Sequence, residues 1–202
     1  MSRGLRQGVK DFVGAPLRLT VLPDDVATRF GLTSMETERI DAVLRHARGR
    51  LLDVGCGRNA LVQRYGSDRA IGVDVHDFGG GALIVPDAGA LPFASAAFDT
   101  VTFVANLNHI PDRVAVLREA RRVLVDDGRL LATMIDPVLG WLGHRIFWWH
   151  DQDHHERGMA DGERYGLWPS GVVATASAAG FVLVERHTFV YGLNRLFVFR
   201  KA

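Results

Sequence analysis

A single cysteine, Cys56, occurs in the 202 residues, so no internal disulfide can form. A small cross-linked secreted scaffold is therefore excluded and a reducing compartment favoured. An excess of one charge is missing as well. The 24 Lys and Arg against 23 Asp and Glu leave a net +1, too weak a field to gather a polyanion, and no nucleic acid partner is expected. A basic run at 118–122 is split by Glu119 and reads as a solvated helix face. Long hydrophobic runs are lacking too. The N-terminus, MSRGLRQGVKDFVG, has no apolar stretch of signal-peptide length, which predicts a cytoplasmic protein. The most apolar later segment, 137–149, is broken by Gly140, Gly143, His144 and Arg145. It falls short of the roughly twenty apolar residues of a bilayer span, so no integral membrane segment is expected. The 7 prolines and 22 glycines follow no period, which excludes collagen-like and low-complexity architectures. What remains is a chain 48% hydrophobic, enough for one core at roughly 100–200 residues per domain.

Residues 1–49 read as an N-terminal helical cap. Thr33 with Glu36 predicts a capping box, followed by Ile40, Val43 and Leu44 on one helix face and a stop near Gly49. Then come short apolar runs at 50–54, 70–75, 82–85, 98–105 and 129–135. None shows polar alternation, the mark of strands buried on both faces of a parallel sheet. Between the last two, Asp112 caps a predicted helix with Val114, Leu117, Ala120, Val123 and Leu124 at helical spacing, and Asp126-Asp127-Gly128 predicts a turn. A helix over 170–179 and a hairpin of 181–189 with 193–199 complete the chain. The alternation predicts an α/β fold, a Rossmann-like doubly wound sheet that is mostly parallel with an antiparallel C-terminal hairpin strand. Ligands of such a sheet bind at the strand carboxyl ends.

The first strand ends in Asp53-Val54-Gly55-Cys56-Gly57-Arg58-Asn59-Ala60. Glycines there permit the sharp turn into a helix and let a ligand lie against the backbone. Asp74 closes the second run, where a carboxylate can accept both hydroxyls of a ribose. Asp87 follows the third run, placed for a further polar edge such as an exocyclic amine. Three strand ends thus converge on one nucleoside.

LLDVGCG, IGVDVHD, DAGALPFASAAFDTVTFVANLNHI and VLREARRVLVDDGRLLATMI occur in this order within about 85 residues. This stretch resembles the class I S-adenosylmethionine (SAM) dependent methyltransferases of the small-molecule type, methyltransferase domain 11-like. The resemblance implies SAM as cofactor, a SAM-binding domain over 50–202 and a small-molecule acceptor, apolar or aromatic. It implies that Asp53, Gly55, Cys56, Gly57 and Asn59 form the loop around the methionine portion. Asp74 would hold the ribose and Val75 pack on the adenine. Asp87 would meet the adenine amine, with Ala88 supplying a backbone contact, and Val104 and Asn106 would close the site beneath the sulfonium. An acidic rim suits a sulfonium and an α-amine, whereas a pyrophosphate prefers helix N–H groups without nearby carboxylates.

Two departures stand out. Asn59 occupies the place of the family's third loop glycine, and 76–81 is too short for the helix that normally joins the second and third strands. A thinly covered sheet face and a weakened cofactor site are expected from them. His109, just beyond the fourth strand, is a candidate base, with a loop-fixing histidine as the alternative. The segment 137–169 reads as a substrate-lid insertion, with His150 and Tyr165 as polar handles beside Trp141, Phe147, Trp148 and Trp149. His150 and His154 stand one helical turn apart, but a solvated polar helix end is the favoured reading and no metal is assigned. Two other functions compete. Gly55-x-Gly57-x-x-Ala60 also fits the dinucleotide fingerprint of an NAD(P)-dependent oxidoreductase, against which Asp53 and the terminal hairpin argue. A non-catalytic SAM-binding domain is the other, motivated by Asn59 and the missing helix.

Overall fold

The computed structural model describes residues 4–15, 28–66, 68–135, 137 and 166–202. Helices α1 (Leu5–Val13) and α2 (Met35–Leu44) precede the first strand. The cap of α2 lies one residue later than the sequence predicts: Ser34 Oγ accepts from the Thr37 N–H at 3.1 Å. Thr33 is engaged elsewhere, donating its N–H and hydroxyl to the buried Asp11 carboxylate at 2.8 and 2.7 Å and so fastening α1 to the start of α2. The helix also stops before Gly49, at Leu44. Gly49, with φ +59°, is needed for the turn into the sheet, because a Cβ there would lie 2.2 Å from the Asp99 carboxylate.

The remaining elements are β1 (Leu51–Val54), α3 (Ala60–Tyr65), β2 (Ala70–Asp74), β3 (Leu83–Ile84), β4 (Phe98–Val104), a 3₁₀ turn (Leu107–His109), α4 (Arg113–Val123), β5 (Leu124–Ile135), α5 (Pro169–Ala178), β6 (Phe181–Phe189) and β7 (Asn194–Lys201). They build a seven-stranded sheet in the order β3-β2-β1-β4-β5-β7-β6. Strands β1 to β5 pair in parallel, and β7 runs antiparallel between β5 and β6. This is the α/β sheet with an antiparallel C-terminal hairpin strand that the apolar runs predict. Asp112 caps α4 as expected, its Oδ1 accepting from the Ala115 N–H at 2.9 Å.

Two runs differ from expectation. Strand β5 begins at Leu124, directly on the end of α4: Leu124 pairs with Phe98 and Arg129 with Thr100, so the expected turn at 126–128 is an irregularity within the ladder. Strand β3 is only two residues, and Leu83 and Ile84 are each 44% exposed. With no helix between β2 and β3, that edge is thinly covered, as the short connection implies.

Alternation along each strand sends successive side chains to opposite faces. Leu52, Val54, Val101 and Phe103 pack with α4 and α5 through Leu117, Val123 and Val172. Leu51, Leu131, Leu196 and Val198 pack with α2 and α3 through Ile40, Val43 and Leu61. Each fully buried leucine contributes roughly 1.5–3 kcal/mol, which explains why these strands carry no polar alternation. Among the described residues, no helix is long and apolar enough to cross a membrane.

Candidate cofactor site

The glycine turn is held from three sides. The Gly55 and Cys56 N–H groups donate to the Val73 carbonyl at 2.8 and 3.1 Å, extending the β1–β2 pairing into the loop. From the end of β4, the Asn106 side-chain amide donates to the carbonyls of Val54 and, at 2.8 Å, Gly55. From the end of β2, Asp74 accepts the Gly57 N–H at 2.9 Å with Oδ2 and the His76 N–H at 3.1 Å with Oδ1. Gly55 and Gly57 both have positive φ, but their surroundings differ. A Cβ on Gly55 would lie 2.3 Å from Asn106 Nδ2, whereas one on Gly57 meets nothing within 4 Å among the described residues. Gly55 is therefore required by the protein's own packing, and Gly57 borders open space.

That space has an acceptor-rich rim. Asn106 Oδ1 is buried with no hydrogen-bond partner among the described residues, an acceptor its clamp leaves over. Asp53 is buried in β1 beside it in the fold, accepting the Thr102 hydroxyl at 2.6 Å. Burial pushes its carboxyl up to about 7, with Asp74 adding to the rise and the Thr102 bond opposing it. An unsatisfied acceptor and a carboxyl short of positive charge fit the α-ammonium and sulfonium of SAM. The chemistry of this donor set matches that group and repels a pyrophosphate.

Asp87 is exposed after β3, and its Oδ1 accepts the Gly89 N–H at 2.7 Å. Ala88 packs against the main core. Val75 is 45% exposed just past β2, an apolar surface at the strand end. Val104 lies on the same sheet face as Thr102 and Asp53 and packs with the α2 and α3 cluster. Cys56 is partly buried, its thiol pushed up to about 12 by burial and by Asp53 and Asp74, so it stays protonated and serves as filler. Asn59 turns from the loop towards the short connection. Its amide donates to the Gly80 and Gly81 carbonyls at 3.3 and 3.4 Å, and its Oδ1 occupies the room that Gly72 leaves, 2.0 Å from where a Cβ would stand.

His109 lies on the 3₁₀ turn after β4, its Nε2 3.0 Å from Asn108 Nδ2. His150, Tyr165, Trp141, Phe147, Trp148 and Trp149 lie outside the described residues, as does most of 137–169. The spacing argument missed Thr102 and the 76–81 carbonyls. Thr102 stands opposite Asp53 in the β1–β4 register, so aligning those two runs would have found it.

Residues 52–132 match a methyltransferase domain family. Over that stretch the chain is similar to the class I SAM-dependent methyltransferases. It is 34% identical over 128 residues to the 27-O-demethylrifamycin SV methyltransferase of Amycolatopsis mediterranei, covering 53% of this chain and 46% of that protein. It is 32% identical over 148 residues to the demethylmenaquinone methyltransferase of Renibacterium salmoninarum, covering 62% of each. The chain thus spans about half to three fifths of the length of these curated relatives. In fold it resembles a SAM-dependent methyltransferase of Thermotoga maritima described as a possible histamine N-methyltransferase. That TM-score is 0.63 at 17% identity, over 83% of this chain and 89% of that one. The antiparallel β7 between β5 and β6 also separates this sheet from the 3-2-1-4-5-6 order of dinucleotide-binding oxidoreductases.

Proposed function

We propose that this chain transfers a methyl group from SAM to a small apolar or aromatic acceptor. When bound, SAM supplies a methyl carbon already activated by its sulfonium. The chain's contribution is then chiefly position and orientation. Asp53, Asp74 and Asn106 would hold the cationic and ribose portions, Asp87 and Val75 the adenine, and the Gly55–Gly57 backbone the methionine portion.

The observation that supports an apolar acceptor is the aromatic surface near the strand carboxyl ends. Strand β6 runs parallel to β5, so the β6–β7 turn lies at that edge, and Tyr191 in it is 51% exposed. Phe12 of α1 meets the Tyr191 ring edge-on with centroids 6.0 Å apart. Along α1, Leu5, Val9, Phe12 and Val13 are exposed at helical spacing. Trp168, at the start of α5, is 57% exposed. The relatives named for demethylrifamycin and demethylmenaquinone are consistent with a small-molecule acceptor.

Where the acceptor must lose a proton, His109 is the base. Asn108 Nδ2 donates to its Nε2, so the ring takes up a proton by exchanging that bond for one to the acceptor. The test is turnover with labelled SAM across phenol, quinol and polyketide-like acceptors, read as a mass gain of one methylene. Product is expected with apolar rings. SAM binding without product from any acceptor would favour the non-catalytic reading, and no binding of SAM or its demethylated product at millimolar concentration would overturn the assignment. For His109→Ala, kcat is expected to fall about 10²–10⁴-fold with SAM affinity unchanged; a fall below tenfold would leave it a loop-fixing residue.

A further inference from the structure

At the sheet edge opposite β3, two histidines and a glutamate meet from distant parts of the chain. Glu185 and His187 come from β6, and His46 from the turn after α2. The pairing of β6 with β7 changes register between Leu183 and Glu185. Before the shift Leu183 faces Phe199; after it Glu185 faces Val198 and His187 faces Leu196. In an unshifted ladder Glu185 would stand opposite Phe197 and point to the α4 and α5 side. The irregularity carries Glu185 and His187 to the α2 side, where Leu196 and Val198 pack and His46 arrives.

The resulting geometry is close. His187 Nε2 lies 2.9 Å from Glu185 Oε2, and His46 Nδ1 lies 3.9 Å from the same oxygen. The two imidazole centroids are 4.6 Å apart, and one ligand atom from each of the three residues lies within 4.8 Å of the others. Around zinc, with bonds of about 2.0–2.2 Å, tetrahedral nitrogen and oxygen ligands sit about 3.4 Å from one another. The observed 2.9 and 3.9 Å bracket that value, so small side-chain adjustments complete the set.

We propose that His46, Glu185 and His187 bind a first-row transition-metal ion, with zinc the leading case, and that the ion staples the end of α2 to edge strand β6. Two imidazoles and one carboxylate suit Zn²⁺, Co²⁺ or Ni²⁺, whereas Ca²⁺ and Mg²⁺ require oxygen ligands. Three protein ligands leave a coordination position for water. His46 is held below its ordinary value by burial and by His187, which keeps its lone pair available. The charged groups of Arg129 and Arg45 also face His46 and oppose a cation there, with Glu185 the compensating charge. Strand β6 is four strand spacings from β1, about 19 Å, so the site is separate from the cofactor cleft. The ion's role is structural: it secures an edge strand that β7 pairs on one side only.

The test is titration of the chelator-treated full chain with Zn²⁺ by calorimetry, and with Co²⁺ by visible absorption, alongside the Tm. One ion per chain is expected, with a Tm rise that grows with zinc concentration. Glu185→Gln and His187→Asn, both at half-exposed positions and checked for folding by circular dichroism, are each expected to weaken binding at least about tenfold. His150, His154 and His155 carry the same ligand chemistry outside the described residues. Their triple substitution to alanine is expected to leave the affinity unchanged. Zinc binding that survives both edge-strand variants, or disappears in the triple variant, would overturn the proposal, as would absence of binding at millimolar zinc. None of these readouts depends on SAM or on turnover.

Discussion

Binding of SAM should be coupled to release of a proton from Asp53. The carboxyl is raised from its ordinary value of 3.8 to about 7, chiefly because the folded chain strips it of water and offers only the Thr102 hydroxyl. A cation placed near it favours the ionised form, so at pH below 7 the ligand must first displace the proton. If only the ionised form binds, the apparent Kd scales as 1 + 10^(pKa − pH). That factor is about 1.1 at pH 8 and about 11 at pH 6, a tenfold loss or about 1.4 kcal/mol. Calorimetry in buffers of different ionisation enthalpy should find about 0.9 proton released per SAM at pH 6 and about 0.1 at pH 8. In Asp53→Asn the affinity should be lower and flat across the range. An unchanged pH slope in that variant would assign the proton to another group, and no release at pH 6 would refute the linkage.

The same shift has a stability consequence of opposite sense to the usual carboxylate. Between pH 3.8 and about 7 the folded chain holds a proton on Asp53 that the unfolded chain has lost. Stability from this group therefore falls as pH rises through that window, by up to about 4 kcal/mol when ionisation is complete. Asp53→Asn, which keeps an acceptor for Thr102, is thus expected to raise the Tm of the ligand-free chain at pH 8 and to change it little at pH 4. Under the proposed assignment, the positive charge of bound SAM offsets that cost.

Two substitutions in the glycine turn should separate folding from binding. Gly57→Ala adds a methyl where nothing lies within 4 Å, so it should cost roughly 1–2 kcal/mol of stability for its φ of +52° yet weaken SAM far more than that cost implies. Gly55→Ala collides with Asn106 and should cost about 2–5 kcal/mol in unfolding by urea; equal stability losses in the two would contradict the difference in their surroundings. Asn59→Gly relieves a left-handed residue but removes the amide bonds to Gly80 and Gly81. Global stability should change by less than about 1 kcal/mol while amide exchange over 79–84 quickens, and unchanged exchange there would show that those bonds do not hold the connection.

Strands buried on both faces were legible because their apolar runs leave little else for them to be, and Asp53 near the end of β1 and Asp74 at the end of β2 marked the proposed cofactor edge. The turn expected at 126–128 went astray because Asp126-Asp127-Gly128 has turn chemistry while the ladder carries it as an irregularity between Leu124 and Arg129. The cap shifted from Thr33 to Ser34 because Asp11, distant in sequence, takes both donors of Thr33. The facing of Glu185 and His187 was equally hidden. Strict alternation from Leu183 assigns them to the wrong side, and only pairing with β7 shows the slip. Local pattern sets what a segment is; contacts from far along the chain set where it stops and which way it faces.

The two departures from the family pattern answer one another. Losing the helix between β2 and β3 leaves the chain only 75–82 to cross to the sheet edge, where the Gly79 N–H bonds locally to Asp77 Oδ1 at 2.8 Å but a helical ladder is missing. A third glycine at position 59 would offer it nothing. Asn59 tolerates the same left-handed turn, at φ +63°, and supplies an amide that reaches the loop's Gly80 and Gly81 carbonyls. Gly80 in turn approaches so closely that a Cβ on it would stand 2.3 Å from the Arg58 carbonyl oxygen. The side chain that the sequence suggested would crowd the cofactor is directed into the seam between the glycine turn and the shortened crossover. Among the described residues, nothing then occupies the space beside Gly57, where the proposed cofactor would lie.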